Sequence, residues 1–261
     1  MKRRDYLVLA AASASACSVA FADVTDLGDA INKAGRQRML CERMAKSYLA
    51  HALGVEPELA DRTLMTSIAL FERQLGELKA YATQPVIRDA CDRLDSAWQP
   101  YRKLLGDRTP GPREAADVLA CADRVLALAQ DGTVKLVALS TRATSRWVNT
   151  SGRQRMLSQR LAALYFGSSW GVETTSAQVE MARASAEFVT AQALLAAAPE
   201  ATPAIREQLQ LADVQWTFFD TALRKLRPGV ADRESMSHVF TTSERILEVM
   251  DGVTGQFAKL G

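Results

Sequence analysis

Four residues stand out for the chemistry they could perform together: Gly35, Arg38, Gly152 and Arg155. They belong to a run, Gly-Arg-Gln-Arg-Met-Leu, that occurs twice without change, the copies separated by 117 residues. The flanks keep the same register, so INKAGRQRMLCERMAKSYL at 31–49 returns as VNTSGRQRMLSQRLAALYF at 148–166. An interrupted identity of this length is improbable from composition alone and reads as an internal duplication. A guanidinium offers a planar fork of donors suited to an oxyanion. The glycine one turn before each arginine costs a helix about 1 kcal/mol against alanine, and it lets another helix or a small ligand come close.

Both copies lack proline and are rich in Ala, Leu, Met, Arg and Gln, which makes them helical. At about 100° per residue, Ile31, Ala34, Gly35, Ala45, Leu49 and Ala52 gather on one face with Arg38 in its middle. Val148, Ser151, Gly152, Ala162 and Phe166 do the same around Arg155, whereas Arg36, Arg43, Arg153 and Arg160 point off that face. A guanidinium in an apolar stripe is costly unless something anionic or strongly accepting meets it. Two explanations stand. Either the motif is an anion site, or it packs helices and each arginine is answered by protein, as Glu42 could answer Arg38 four residues on. The second copy carries Gln159 there, which leaves no formal charge for Arg155. The discriminating fact is whether the arginines have protein partners; if a carboxylate satisfies Arg155, the anion reading loses its motive.

The stretch 31–49 resembles the first helix of the type IV pilus methyl-accepting chemotaxis transducer N-terminal domain, the PilJ-type domain. It is also similar to the motif of the nitrate/nitrite sensor kinases, patterned roughly I-N-x-A-G-x-x-R-M-x-x-x-R; the second copy departs from the first with Thr150 for Lys33 and Ser151 for Ala34. In those sensors the glycine and the arginine three residues later meet the anion at a symmetric helix–helix interface. Carried over, the resemblance implies ligand-binding roles for Gly35 and Arg38, and for Gly152 and Arg155. It implies a small oxyanion such as nitrate or nitrite as ligand, no cofactor, and a homodimer as one way to complete a site. With no output segment in the chain, the signal would pass to a membrane receptor, kinase or transporter component. The alternative is a ligand-free helical interaction protein of a receptor or of the type IV pilus and chemotaxis apparatus.

The elements that must position these residues follow from punctuation. Gly54-Val55-Glu56-Pro57 stops the first helix and starts a second over 57–82, with Leu64, Ile68, Phe71, Leu75 and Leu78 on its apolar face. Thr83-Gln84-Pro85 breaks the chain before a third helix to about Leu105, which Pro100 is expected to bend. GDRTPGP at 106–112 is a loop, and a fourth helix follows. The second repeat answers in kind: Gly171-Val172 for Gly54-Val55, Phe188 for Phe71, Trp216 for Trp98, and Glu244-Arg245-Ile246-Leu247 for Asp123-Arg124-Val125-Leu126. The fold class is therefore all-α, two tandem antiparallel four-helix bundles related by duplication, over 23–140 and 141–261. No glycine or proline interrupts 133–151, and Ser140–Ser145 is a weak helix former but not a breaker. The expectation is one continuous helix from about 113 to 166 and bundles joined end to end, with Arg38 and Arg155 roughly 30–35 Å apart.

Residues 1–22 read as an export signal: Lys2, Arg3 and Arg4, an apolar run, then Ala20-Phe21-Ala22 as a cleavage site. Arg3-Arg4 also resembles a twin-arginine signal, and Cys17 is a weaker candidate for lipid attachment. Either export route leads to the periplasm. The formal charge of +2 falls to zero without this segment, which argues against a nucleic-acid partner. Cys41, Cys91 and Cys121 remain, an odd count with no metal-ligand spacing, and they read as buried small hydrophobes or one disulfide. Two histidines, His51 and His238, without a Glu-x-x-His pair, a phosphate loop or a positioned nucleophile, give no basis for an enzyme or a metal site. Trp98 and Trp216, at equivalent positions, read as core and not as a ligand cage.

Overall fold

The computed structural model describes residues 23–106, 111–172 and 174–260. The segment read as an export signal, with Arg3, Arg4 and Cys17, lies outside these residues, as does most of the loop expected at 106–112. The described residues form eight helices: α1 (Leu27–Ala52), α2 (Pro57–Tyr81), α3 (Pro85–Leu104), α4 (Pro112–Ala138), α5 (Thr144–Ser169), α6 (Thr174–Ala196), α7 (Pro203–Leu223) and α8 (Arg233–Lys259).

Local chemistry sets the boundaries. The Asp26 carboxylate accepts the Asp29 amide at 2.9 Å and opens α1. Proline at the first position opens α2, α3, α4 and α7, where its missing N–H costs nothing. Gly54 (φ 68°) and Gly171 (φ 84°) turn the chain through the left-handed region after α1 and α5, so the repeats end their first helices alike. Pro100 lies within α3, on its exposed side.

Helices α1 and α5 are the organising pair. Each buries 18 of its 26 residues, so both are core helices covered on nearly every side. α2 and α4 pack on α1, and α3 packs on α4; α6 and α8 pack on α5, and α7 packs on α8. Among the described residues the most extensive packing between two helices is that of α1 against α5. The duplication reaches the outer helices as well: Phe71 meets Trp98 with ring centroids 4.5 Å apart, and Phe188 stacks on Trp216 at 4.1 Å. Both tryptophans therefore serve packing. Cys41, Cys91 and Cys121 are free thiols.

The expected continuous helix is not formed. α4 ends at Ala138 and α5 begins at Thr144, so the bundles lie side by side and not end to end. The Ser140 hydroxyl accepts the Arg142 amide at 3.2 Å and meets the Ser145 hydroxyl at 2.6 Å, satisfying locally what the helix ladder would otherwise take. A serine turn thus does the work assigned to glycine or proline. Folding α5 back on α1 buries a whole face of each, a gain that outweighs helix continuity across five residues.

Candidate functional site

Arg38 and Arg155 meet where α1 crosses α5, and both are fully buried. A Cβ placed on Gly152 would stand 3.1 Å from Arg155 Nη2 and 3.4 Å from Arg38 Nη2. The two nitrogens are therefore no farther apart than those distances together, about 6.5 Å. Gly35 repeats the arrangement, with Arg38 Nη2 at 3.2 Å and Arg155 Nη2 at 3.6 Å from its absent Cβ. The expected separation of roughly 30–35 Å is thus corrected; it rested on helix continuity. The glycines make room for guanidinium tips, and an alanine at either position would have to push them aside.

Each arginine reaches across the interface. Arg38 Nη2 donates to the Asn149 carbonyl at 3.3 Å; Arg155 Nη2 donates to the Asn32 side-chain oxygen at 3.0 Å and to its carbonyl at 3.4 Å. Asn32 and Asn149 are repeat equivalents, so the crossing is a pseudo-twofold built within one chain. On the outer side the symmetry fails. Arg38 Nη1 donates to Gln130 Oε1 at 2.6 Å, while Arg155 Nη1 donates to Asp251 Oδ1. Gln130 and Asp251 share the offset that pairs Asp123 with Glu244, so a neutral amide on α4 stands where α8 carries a carboxylate. The flanking arginines follow the same scheme: Arg153 Nη1 reaches Gln130 Oε1 at 3.4 Å and Arg36 Nη2 reaches Asp251 Oδ1 at 2.9 Å.

The electrostatics follow from this wiring. Burial, then repulsion from Arg153 and Arg155, lowers the Arg38 pKa to about 9. Burial also lowers Arg155, to about 10, with Asp251 opposing the shift. Both stay charged at neutral pH. Burial works against the Asp251 carboxylate, but Arg155 and Arg36 hold it below its usual range. Glu187 is held down by its hydrogen bond from Arg153 and, to a smaller extent, by the charge of Arg38, to which it makes no hydrogen bond. Nε of both buried arginines and Oδ1 of Asn149 are buried without a hydrogen bond. An unmet buried donor costs about 1–3 kcal/mol, more on a charged group.

About one turn farther along α1, a second polar layer crosses the same interface. Glu42 does not neutralise Arg38, as its spacing suggested; it accepts from Arg160 of the other repeat at 2.9 Å. Arg160 also donates to Asp123 at 2.6 Å, and its twin Arg43 donates from Nε to Glu244 at 3.0 Å. Gln159, the twin of Glu42, donates to the Ser243 carbonyl at 3.0 Å. Lys46, fully buried, donates to Ser243 Oγ at 3.1 Å and to Glu244 at 2.5 Å; burial pushes it down to about 8 against the pull of Glu244.

The four residues singled out by sequence are thus brought to one place. Arg36, Arg43, Arg153 and Arg160 keep 15–36% of their side-chain surface exposed, while Arg38 and Arg155 keep none. Motif reading missed Asn32, Asn149, Gln130 and Asp251. The asparagines were legible, since both recur three residues before the glycine, and Gln130 and Asp251 were legible by extending the alignment of the fourth helices. Asp251 satisfies Arg155 with a carboxylate, so the expectation that Arg155 lacks a charged protein partner is corrected, and with it goes the motive for the anion reading that rested on Arg155. The structure supplies a different motive at Arg38, whose hydrogen-bond contacts are neutral acceptors. A cleft of about 340 Å³ between α4, α5 and α6 is lined by Gln130, Arg153, Met156, Arg160, Arg183 and Glu187, among others, and so reaches the outer end of the Arg38 arm.

Among the described residues no helix is long and apolar enough to cross a membrane, and no group of His, Cys, Asp and Glu is arranged to hold a metal ion. The family described as type IV pili methyl-accepting chemotaxis transducer N-terminal domain matches residues 22–130 and again residues 137–238. No curated protein and no solved structure matches the chain. The two tandem matches span most of the sequence, and the chain belongs to that family, a sensory module of chemotaxis and pilus signalling.

Proposed function

We propose that the protein is a periplasmic sensory module that binds a small oxyanion, of the nitrate or nitrite kind, at the Arg38–Arg155 crossing and passes the signal to a separate membrane partner. The observation that carries this reading is Arg38: a fully buried guanidinium, beside a second one, with only neutral oxygen acceptors on it. Burying a charge is costly unless an opposite charge repays it, and an oxyanion would supply that charge with a geometry that matches the fork. Gly35 and Gly152 leave the space in which the guanidinium tips can rearrange around a ligand. The module acts by binding and not by catalysis. The partner is a receptor, kinase or transporter component, and the export signal read at 1–22 sets the compartment.

One observation favours the packing reading for the second copy: Asp251 answers Arg155. The weight of the anion reading therefore falls on Arg38. In a thermal-shift screen of nitrate, nitrite and other small anions at matched ionic strength, at least one oxyanion raises Tm of the mature chain by mass action. Arg38→Ala abolishes that rise while leaving the helical circular dichroism near wild type. A rise of equal size in Arg38→Ala would sink the assignment.

A further inference from the structure

The duplication supplies an internal control for what two arginines require between them. In one arm, Arg155 and Arg36 converge on a single oxygen, Asp251 Oδ1, which carries negative charge. In the twin arm, Arg38 and Arg153 converge on Gln130 Oε1, which carries none. The positions are equivalent in sequence and in wiring, so the neutral oxygen of Gln130 stands where the same protein elsewhere places an anion. The carboxylate of that arm, Glu187, sits on the far side of Arg153 and leaves the bridging position neutral. Gln130 and Arg153 also line the cleft between α4, α5 and α6, so this bridging position adjoins open volume.

We propose that the small oxyanion enters through this cleft, displaces the Gln130 amide and bridges Arg38 and Arg153, while Asp251 is the built-in occupant of the twin arm. The chain then takes one anion and not two. Gln130 is the displaceable acceptor and Asp251 the fixed one, so the residue at this α4/α8 position decides which arm is open. This deepens the reading above and rests on it. An anion in place of Gln130 gives both guanidinium donors a charged acceptor where each now meets a neutral one, and it leaves the amide free to turn toward the cleft. Arg153, which its helical position marked as peripheral, becomes a ligand-contacting residue.

The test uses the mature full chain and sodium nitrate as probe, with sodium chloride at equal ionic strength as reference, read as the shift in Tm and as an apparent Kd. Gln130→Glu, which places a carboxylate between Arg38 and Arg153, weakens nitrate at least tenfold and raises Tm in its absence. Asp251→Asn, which makes the twin arm neutral, enlarges the nitrate response by at least a factor of two. Arg153→Gln, at a side chain that keeps 36% of its surface exposed, weakens nitrate at least fivefold and keeps the proposal testable if the glutamate variant misfolds. Wild-type affinity in Gln130→Glu or in Arg153→Gln overturns the proposal, even with a wild-type chain that binds nitrate through Arg38. An unchanged response in Asp251→Asn overturns the role given to Asp251. If the wild type and Asp251→Asn both fail to respond to nitrate, the anion reading fails and takes this proposal with it.

Discussion

At the scale of single residues, the polar groups on α1 are placed to cross into the other repeat, and their protonation couples to folding. Glu42 is the clearest case. Burial raises its pKa from the usual carboxylate range to about 7, with Arg160 opposing the shift and Asp123 adding to it. A carboxyl raised in the folded state holds a proton that the unfolded chain has released, so its contribution is full at low pH and is lost as pH rises through about 7. Glu244, where Lys46 and Arg43 outweigh burial, sits at about 2 and titrates below this window. Denaturant unfolding should therefore show stability falling by roughly 1–3 kcal/mol between about pH 5 and pH 7. Glu42→Gln, which installs the side chain that the second repeat carries as Gln159, flattens that fall. A slope unchanged in the variant would show that the dependence lies elsewhere. The face assignment of Arg38 and Arg155 was legible from periodicity alone. The partner of Glu42 was not, because a helical i,i+4 rule sees only its own helix, and the acceptor that matters belongs to α5.

At the scale of elements, helix boundaries and outer faces were largely legible, since Gly54, Pro57, Pro85 and Pro203 act through local backbone chemistry. Two things were not. A single apolar face does not mark the burial of Gln37, Glu42, Lys46, Gln154 and Gln159, which follows from these helices being covered on both sides. The α4–α5 junction carries no strong breaker, and its turn exists because tertiary burial rewards it. Glycine substitutions read these packings directly. Nothing lies within 4 Å of a Cβ on Gly76 in α2, so Gly76→Ala should stabilise by about 0.5–1 kcal/mol through the unfolded chain. A Cβ on Gly167 in α5 would stand 2.8 Å from Leu119 Cδ1, so Gly167→Ala should cost about 1–2 kcal/mol. Thermal denaturation of the two variants checks the signs; a stabilised Gly167→Ala would mean that α4 and α5 are not this close.

At the scale of the whole molecule, the duplication turns what could be an interface between chains into one within a chain. α1 and α5 play the two equivalent helices, Asn32 and Asn149 accept each other's arginine, and the crossing is complete without a second copy. The tandem family matches and the all-helical fold were legible from the repeated motif. The side-by-side arrangement was not, because nothing in a local pattern weighs a helix continued against a face buried. Divergence since duplication then made the site unequal, with Gln130 on one arm and Asp251 on the other. The central claim is that one oxyanion binds within a single chain at Arg38, and the most direct measurement is calorimetric titration of the mature chain with nitrate, its mass determined in the same buffer. The account predicts a monomer that takes up one nitrate per chain. One nitrate per two chains, or no saturable heat with nitrate, would contradict it.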